Sequence, residues 1–87
     1  MTNKYIFLHL ETLDGEREYD HKSVHQLSYK EDTIKWADNY CSDFWMGQPG
    51  EKNEYGYYEF YAGSLATRVV EVRNISKEHY KILKNYI

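Results

Sequence analysis

Histidine, cysteine and tyrosine are the side chains of this chain with chemistry to offer, and their spacing decides what that chemistry would be. His9 and Asp20 face one another if the two strand-like runs around Asp14-Gly15 close through a two-residue turn. A carboxylate beside an imidazole raises its pKa and fixes its tautomer, which is the basis of an acid–base pair. No nucleophile or oxyanion device accompanies the pair, so it reads as a polar cross-strand contact, and no catalytic residue is assigned. The chain is expected not to be an enzyme. His21 and His25 have the spacing that puts two metal ligands on one helix face. They fall in a predicted strand, where residues four apart are roughly 13 Å from each other along the axis. That separation is too wide for one zinc, so neither a metal nor a cofactor is expected, and the two imidazoles are placed on a wet strand face. Cys41 is the only cysteine. It lies in the apolar stripe of a helix and is read as a small packed hydrophobe. A single thiol forms no internal disulfide, which points to a reducing, cytoplasmic compartment.

Tyrosine is the most abundant of these residues, at 10 of 87 positions. Four fall in the run Tyr55-Gly56-Tyr57-Tyr58-Glu59-Phe60-Tyr61. An apolar ring with a polar tip suits strands and half-wet surfaces that meet partners. Together with Ile6-Phe7-Leu8, this run invites comparison with RNA-recognition motifs, whose central strands stack bases on rings. Here the order begins with a hairpin, Glu54-Tyr55 stands where a basic residue would precede the glycine, and the net charge is −3. No family is assigned on that comparison.

The elements that carry these residues follow from periodicity. Tyr5 to Leu13 is rich in aromatic and branched residues and reads as a strand. Asp14-Gly15 suits a type I′ turn, and Glu16 to Leu27 returns. Leu13 then faces Glu16, Leu10 faces Tyr19, and Leu8 faces His21. Ile6, Leu8, Leu10 and Tyr19 share the core face, whereas Tyr5, Phe7, His9, Glu11, Glu18 and Asp20 share the other. Ser28 and Glu31 have capping-box spacing and open a helix. Its apolar stripe is Ile34, Ala37, Cys41, Phe44 and Trp45, with Trp36 and Tyr40 beside it, and Gly47 and Pro49 end it. Tyr55 to Ala62 and Leu65 to Asn74 form a second hairpin around Gly63-Ser64. It pairs Glu59 with Arg68, Tyr58 with Val69, and Tyr61 with Ala66. Ser76 caps a last helix with Tyr80, Leu83 and Ile87 on its apolar side.

The expected fold is therefore α+β: one domain over residues 1–87, a four-stranded antiparallel sheet of two hairpins, and two helices on one face, in the order ββαββα. A chain of this length buries only about 60–65% of its unfolded surface, so the core is small. The stretch Met1 to His9 is too short in apolar residues for a signal peptide or a membrane span. If Ile6, Leu8, Leu10, Tyr58, Phe60 and Val69 face the helices, then Tyr5, Phe7, His9, Tyr57, Tyr61 and Arg68 face outward. Val70 and Val72 then fall on the outer face as well, against the pattern. Exposed rings in that number, with an arginine, mark a binding surface. The expected function is that of a small soluble regulator or inhibitor that binds a protein, or its own copy, through this face. The alternative is single-stranded nucleic-acid binding through the same rings, which the acidic balance disfavours.

Overall fold

Strict alternation in the first run sets the sheet. In the computed structural model, which describes residues 3–45, 51–60 and 63–87, β1 spans Asn3–Asp14 and β2 spans Arg17–Ser28. Ile6, Leu8, Leu10 and Thr12 are buried and the residues between them are half-buried. This is the period-2 signature of a strand with one face on the core. The two strands pair continuously from Asn3↔Ser28 to Asp14↔Arg17. The turn is Gly15-Glu16, with Gly15 at φ 63°, one residue later than Asp14-Gly15. The expected pairs therefore shift by two residues: Leu13 faces Glu18, Leu10 faces His21, and Leu8 faces Ser23. His9 faces Lys22, and Asp20 is its diagonal neighbour. A shift of two preserves the face of every side chain.

Among the described residues three further strands complete a sheet of five, ordered β2-β1-β5-β4-β3, where four were expected. β3 is Glu51–Lys52, β4 is Tyr58–Phe60, and β5 is Leu65–Ile75. Both helices interrupt this antiparallel sheet without joining its strands in parallel, so the class is α+β. The aromatic run is thus a strand only at its end, because Asn53 to Tyr57 turns the chain between β3 and β4. Phe60 pairs with Leu65, Glu59 with Ala66, and Tyr58 with Thr67. Four residues, not two, separate the paired ends, and this moves Glu59 off Arg68 and Tyr58 off Val69. Tyr61, expected opposite Ala66, lies outside the described residues, and Ala66 pairs with Glu59 instead.

β5 explains the valines that alternation alone misplaces. It runs antiparallel to β1 with a register shift between His9 and Leu10: His9 faces Glu71, and Leu10 faces Val69. Val70 is the extra residue of this β-bulge. Val69 and Val72 consequently both pack on the core despite their opposite parity, and Val70 alone is exposed.

α1 spans Thr33–Ser42 and begins later than expected. Asp32, not Ser28, is its N-cap; the Asp32 carboxylate accepts from the Lys35 amide at 3.1 Å. Ser28 instead closes the turn that leaves β2, its carbonyl accepting from the Glu31 amide and its hydroxyl from the Lys30 amide. Asp32→Ala is expected to lower stability by about 1 kcal/mol, and Ser28→Ala by less. The midpoint of chemical denaturation checks both. Ala37 and Cys41 are buried, and Trp36, Tyr40 and Phe44 pack beside them, whereas Ile34, expected in the stripe, is 73% exposed. Asp43 caps the helix C-terminus. The expected stop signals Gly47 and Pro49 lie outside the described residues.

α2 spans Lys77–Lys84 and starts as expected at Ser76, whose hydroxyl accepts from the His79 amide. It does not join α1. The Tyr80 ring meets Tyr5 at 4.8 Å, and alternation puts Tyr5 on the face opposite Ile6 and Leu8. The helices therefore divide between the faces, with α1 on the inner one and α2 over one end of the outer one. The reason lies in β5, which ends at Ile75 directly across from Tyr5, so the following helix starts beside an outer-face ring. Among the described residues no helix is long and apolar enough to cross a membrane.

Candidate functional site

The outer face is assembled from β1, β5 and the loop before β4. Along β1 it carries Tyr5, Phe7, His9 and Glu11, and β5 adds Arg73, Glu71 and Arg68 across from the last three. The Asn53 side chain pins the loop that delivers Tyr57: its Oδ1 accepts from the amides of Tyr55 at 2.9 Å and Tyr57 at 3.1 Å. The Tyr57 hydroxyl then donates to Glu11 Oε1 at 2.7 Å, a bond that pushes the phenol pKa above its ordinary value. The Arg68 guanidinium lies over the Tyr57 ring at 5.0 Å, with its Nε 3.5 Å from the same carboxylate oxygen. Arg73 covers Phe7 in the same manner at 5.1 Å. His9 Nε2 is 2.8 Å from Asp20 Oδ1.

Five of the residues expected to form a surface, Tyr5, Phe7, His9, Tyr57 and Arg68, thus come together on one face. Tyr61 lies outside the described residues. The rings are half-buried, not freely exposed as expected, because Tyr80, Arg73 and Arg68 cover part of each. The His9–Asp20 contact forms although the two are not directly paired.

The inner face holds an arrangement that residue types alone did not reveal. His21 and His25 lie under α1, not on a wet face. His25 sits between Trp36 and Tyr40, each at 4.9 Å, and its Nε2 meets Ser23 Oγ at 2.7 Å. His21 packs on Phe44 at 4.9 Å. The readable signal was the i, i+4, i+8 spacing of Trp36, Tyr40 and Phe44 opposite histidines that also recur at four.

His21 also ends a buried chain of polar groups. Trp45 Nε1 donates to Thr67 Oγ1 at 2.8 Å, Thr67 Oγ1 is 2.9 Å from Thr12 Oγ1, and Thr12 Oγ1 is 3.0 Å from His21 Nε2. An indole N–H only donates, so Thr67 accepts from it. Thr67 can then pass its own hydrogen to Thr12, and Thr12 to His21. Within this chain the indole and both hydroxyl hydrogens all have acceptors only if His21 Nε2 carries no proton, which makes the imidazole neutral with its proton on Nδ1. A protonated His21 would donate to Thr12 and turn the chain around, leaving the Thr67 hydrogen unplaced within it. Desolvation lowers the pKa of His21, against the raising charge of Asp20, and desolvation lowers that of His25 too.

These shifts set a pH dependence. Above about pH 6.5 both imidazoles are neutral in folded and unfolded chains. Below it the unfolded chain binds protons more readily, so stability falls as pH drops from 6.5 through the lowered folded-state values. Thermal melts between pH 7.5 and 5 are expected to show the loss, and His21→Gln with His25→Gln should flatten the profile in that window.

Two other polar groups tie the elements together. The Tyr58 hydroxyl donates to Asp38 Oδ2 at 2.6 Å, and Lys52 Nζ donates to Asp38 Oδ1 at 3.2 Å. The bond to Asp38 pushes the Tyr58 phenol up to about 12 and holds the Asp38 carboxyl below its usual value. These contacts lock β3 and β4 onto α1. Cys41 donates from Sγ to the Thr67 carbonyl at 3.4 Å, and burial pushes its thiol up to about 12. A thiol in that setting stays protonated near neutrality and behaves as packing.

No protein-family model, curated protein or solved structure matches this chain.

Proposed function

We propose that this chain is a small non-catalytic protein-binding module, a regulator or inhibitor working in the cytoplasm, and that its partner seats on the outer sheet face. The observation that carries this reading is the convergence of Tyr5, Phe7, His9, Tyr57 and Arg68 on one face. Tyrosine and arginine are the residue types that anchor interfaces. Arg68 is held over Tyr57 and beside Glu11, so part of the ordering cost of binding is met before a partner arrives. Stacking of nucleic-acid bases needs open ring faces, and guanidinium groups already cover Tyr57 and Phe7. That favours a protein over a single-stranded nucleic acid.

The test is a Tyr57→Ser/Arg68→Ser double variant, with folding followed by thermal melting. Wild-type protein is expected to capture a partner from its native host that the folded double variant does not. A folded variant that captures the same partner equally well overturns the reading. Binding of single-stranded nucleic acid that weakens steeply with salt supports the alternative instead.

A further inference from the structure

We propose that the free edge of β2 pairs antiparallel with β2 of a second copy of this chain, about a twofold axis at His21. This edge adjoins the outer face, where Asp20 bonds to His9, but the pairing does not rest on that face's role. β2 is twelve residues long, pairs with β1 without a register shift, and is the terminal strand of the sheet. Nothing among the described residues pairs with its other side. Edge strands are ordinarily protected by shortness, proline, a bulge or charged side chains. The opposite edge, β3, is two residues long, whereas β2 is long, unbulged and free of proline, so its charges alone decide what it can pair with.

The charge pattern selects the partner and the register. A twofold axis normal to the sheet leaves each face on its own side, so paired residues must share a face and differ by an even number. The outer side of β2 carries Glu18, Asp20, Lys22, Val24 and Gln26. An axis at Tyr19 sets Glu18 against Asp20. An axis at Asp20 or Lys22 sets that residue against its own copy. An axis at Ser23 or Val24 makes no charge pair. An axis at His21 sets Asp20 against Lys22 twice and opposes no like charges, because the residues it sets His21 and Arg17 against, a second His21 and His25, are neutral near pH 7. Lys22 is exposed and has no ion-pair partner among the described residues, which leaves it free for this role.

The inner side fits as well. In the same register Tyr19 of the second copy lies opposite Ser23, between His21 and His25. Tyr19 is 41% exposed in the single chain. Trp36, Asn39, Tyr40, Asp43 and Phe44 line a groove of about 430 Å³ along α1. Among the described residues no strand residue lines it, but its rings rest on the β2 histidines, which puts it on the side of α1 that overhangs β2. The Tyr19 ring of the second copy enters this groove, with Asn39 and Asp43 beside its hydroxyl.

Analytical ultracentrifugation over a concentration series tests the pairing. Wild type is expected to dimerise. Asp20→Lys alone and Lys22→Asp alone each oppose like charges twice, and each should weaken self-association roughly tenfold or more. An equal mixture of the two variants restores opposite charges across the axis and should recover the dimer. Tyr19→Ser should weaken it without a change in the circular dichroism spectrum. Hydrogen exchange in wild type gives an independent reading, because β2 amides should gain protection as concentration rises. A wild type that stays monomeric, a dimer indifferent to both charge reversals, a mixture of folded variants that does not associate, or β2 exchange independent of concentration overturns the proposal.

Discussion

Thr67→Val is expected to cost roughly 2–3 kcal/mol, although it changes the volume of a fully buried side chain little. The hydroxyl it removes accepts from Trp45 Nε1 and bonds to Thr12. Its loss leaves an indole N–H without that acceptor and a buried Thr12 with one partner fewer. An unmade buried hydrogen bond carries the full desolvation cost of the remaining group, whereas a made one returns only a modest net gain. The effect should exceed that of Thr67→Ser, which keeps the hydroxyl and removes a methyl. Urea denaturation of both variants measures the difference. A valine variant as stable as the serine one would show that the polar chain contributes nothing. Trp45 fluorescence offers a second readout, since its indole should lose its fixed environment.

Leu8→Ala is expected to cost about 2–5 kcal/mol, the range for emptying a tightly packed site. Leu8 has no exposed surface and belongs to a buried cluster with Leu10, Ala37 and Cys41. A chain of this length has a total stability of roughly 4–13 kcal/mol, so this single change removes a large share of it. Ile34→Ala removes a similar number of atoms from a side chain that is 73% exposed and should move the midpoint little. The two denaturation curves, taken together, separate burial from residue type.

Local signals in the sequence carried the first hairpin, the inner face of β1 and the start of α2. Ile6, Leu8 and Leu10 alternate without interruption, and Ser76 stands alone as a cap before a polar first turn. Errors arose where two local signals competed. Asp14-Gly15 and Gly15-Glu16 both contain the glycine that the turn requires, and only the pairing of Asp14 with Arg17 decides between them. Ser28 and Asp32 are both good caps. Ser28 is consumed by the turn out of β2, which leaves Asp32 to open the helix. The position of α2 and the setting of His21 and His25 were hidden for another reason. They depend on which helix covers which face, a tertiary fact with no local residue signature. The outer-face residues of β1, in contrast, followed from parity alone, since a register error of two residues leaves faces unchanged, whereas Tyr57 reaches that face from a loop.

The bulge at Val70 bears on how this chain tolerates changes in length. Ahead of the bulge, loss of one codon would turn every downstream side chain to the wrong face for as long as the bulge is kept, and closing the bulge would rescue only the residues beyond it. Loss of Val70 alone would not. The next residue, Glu71, would then follow Val69 in simple alternation and face outward, as it already does opposite His9, and Val72 would still face Leu8. The bulge therefore gives β5 a spare residue whose deletion is silent with respect to burial. A chain lacking Val70 should melt cooperatively, whereas one lacking Thr67, which turns Arg68 inward opposite Thr12 even if the bulge closes, should not.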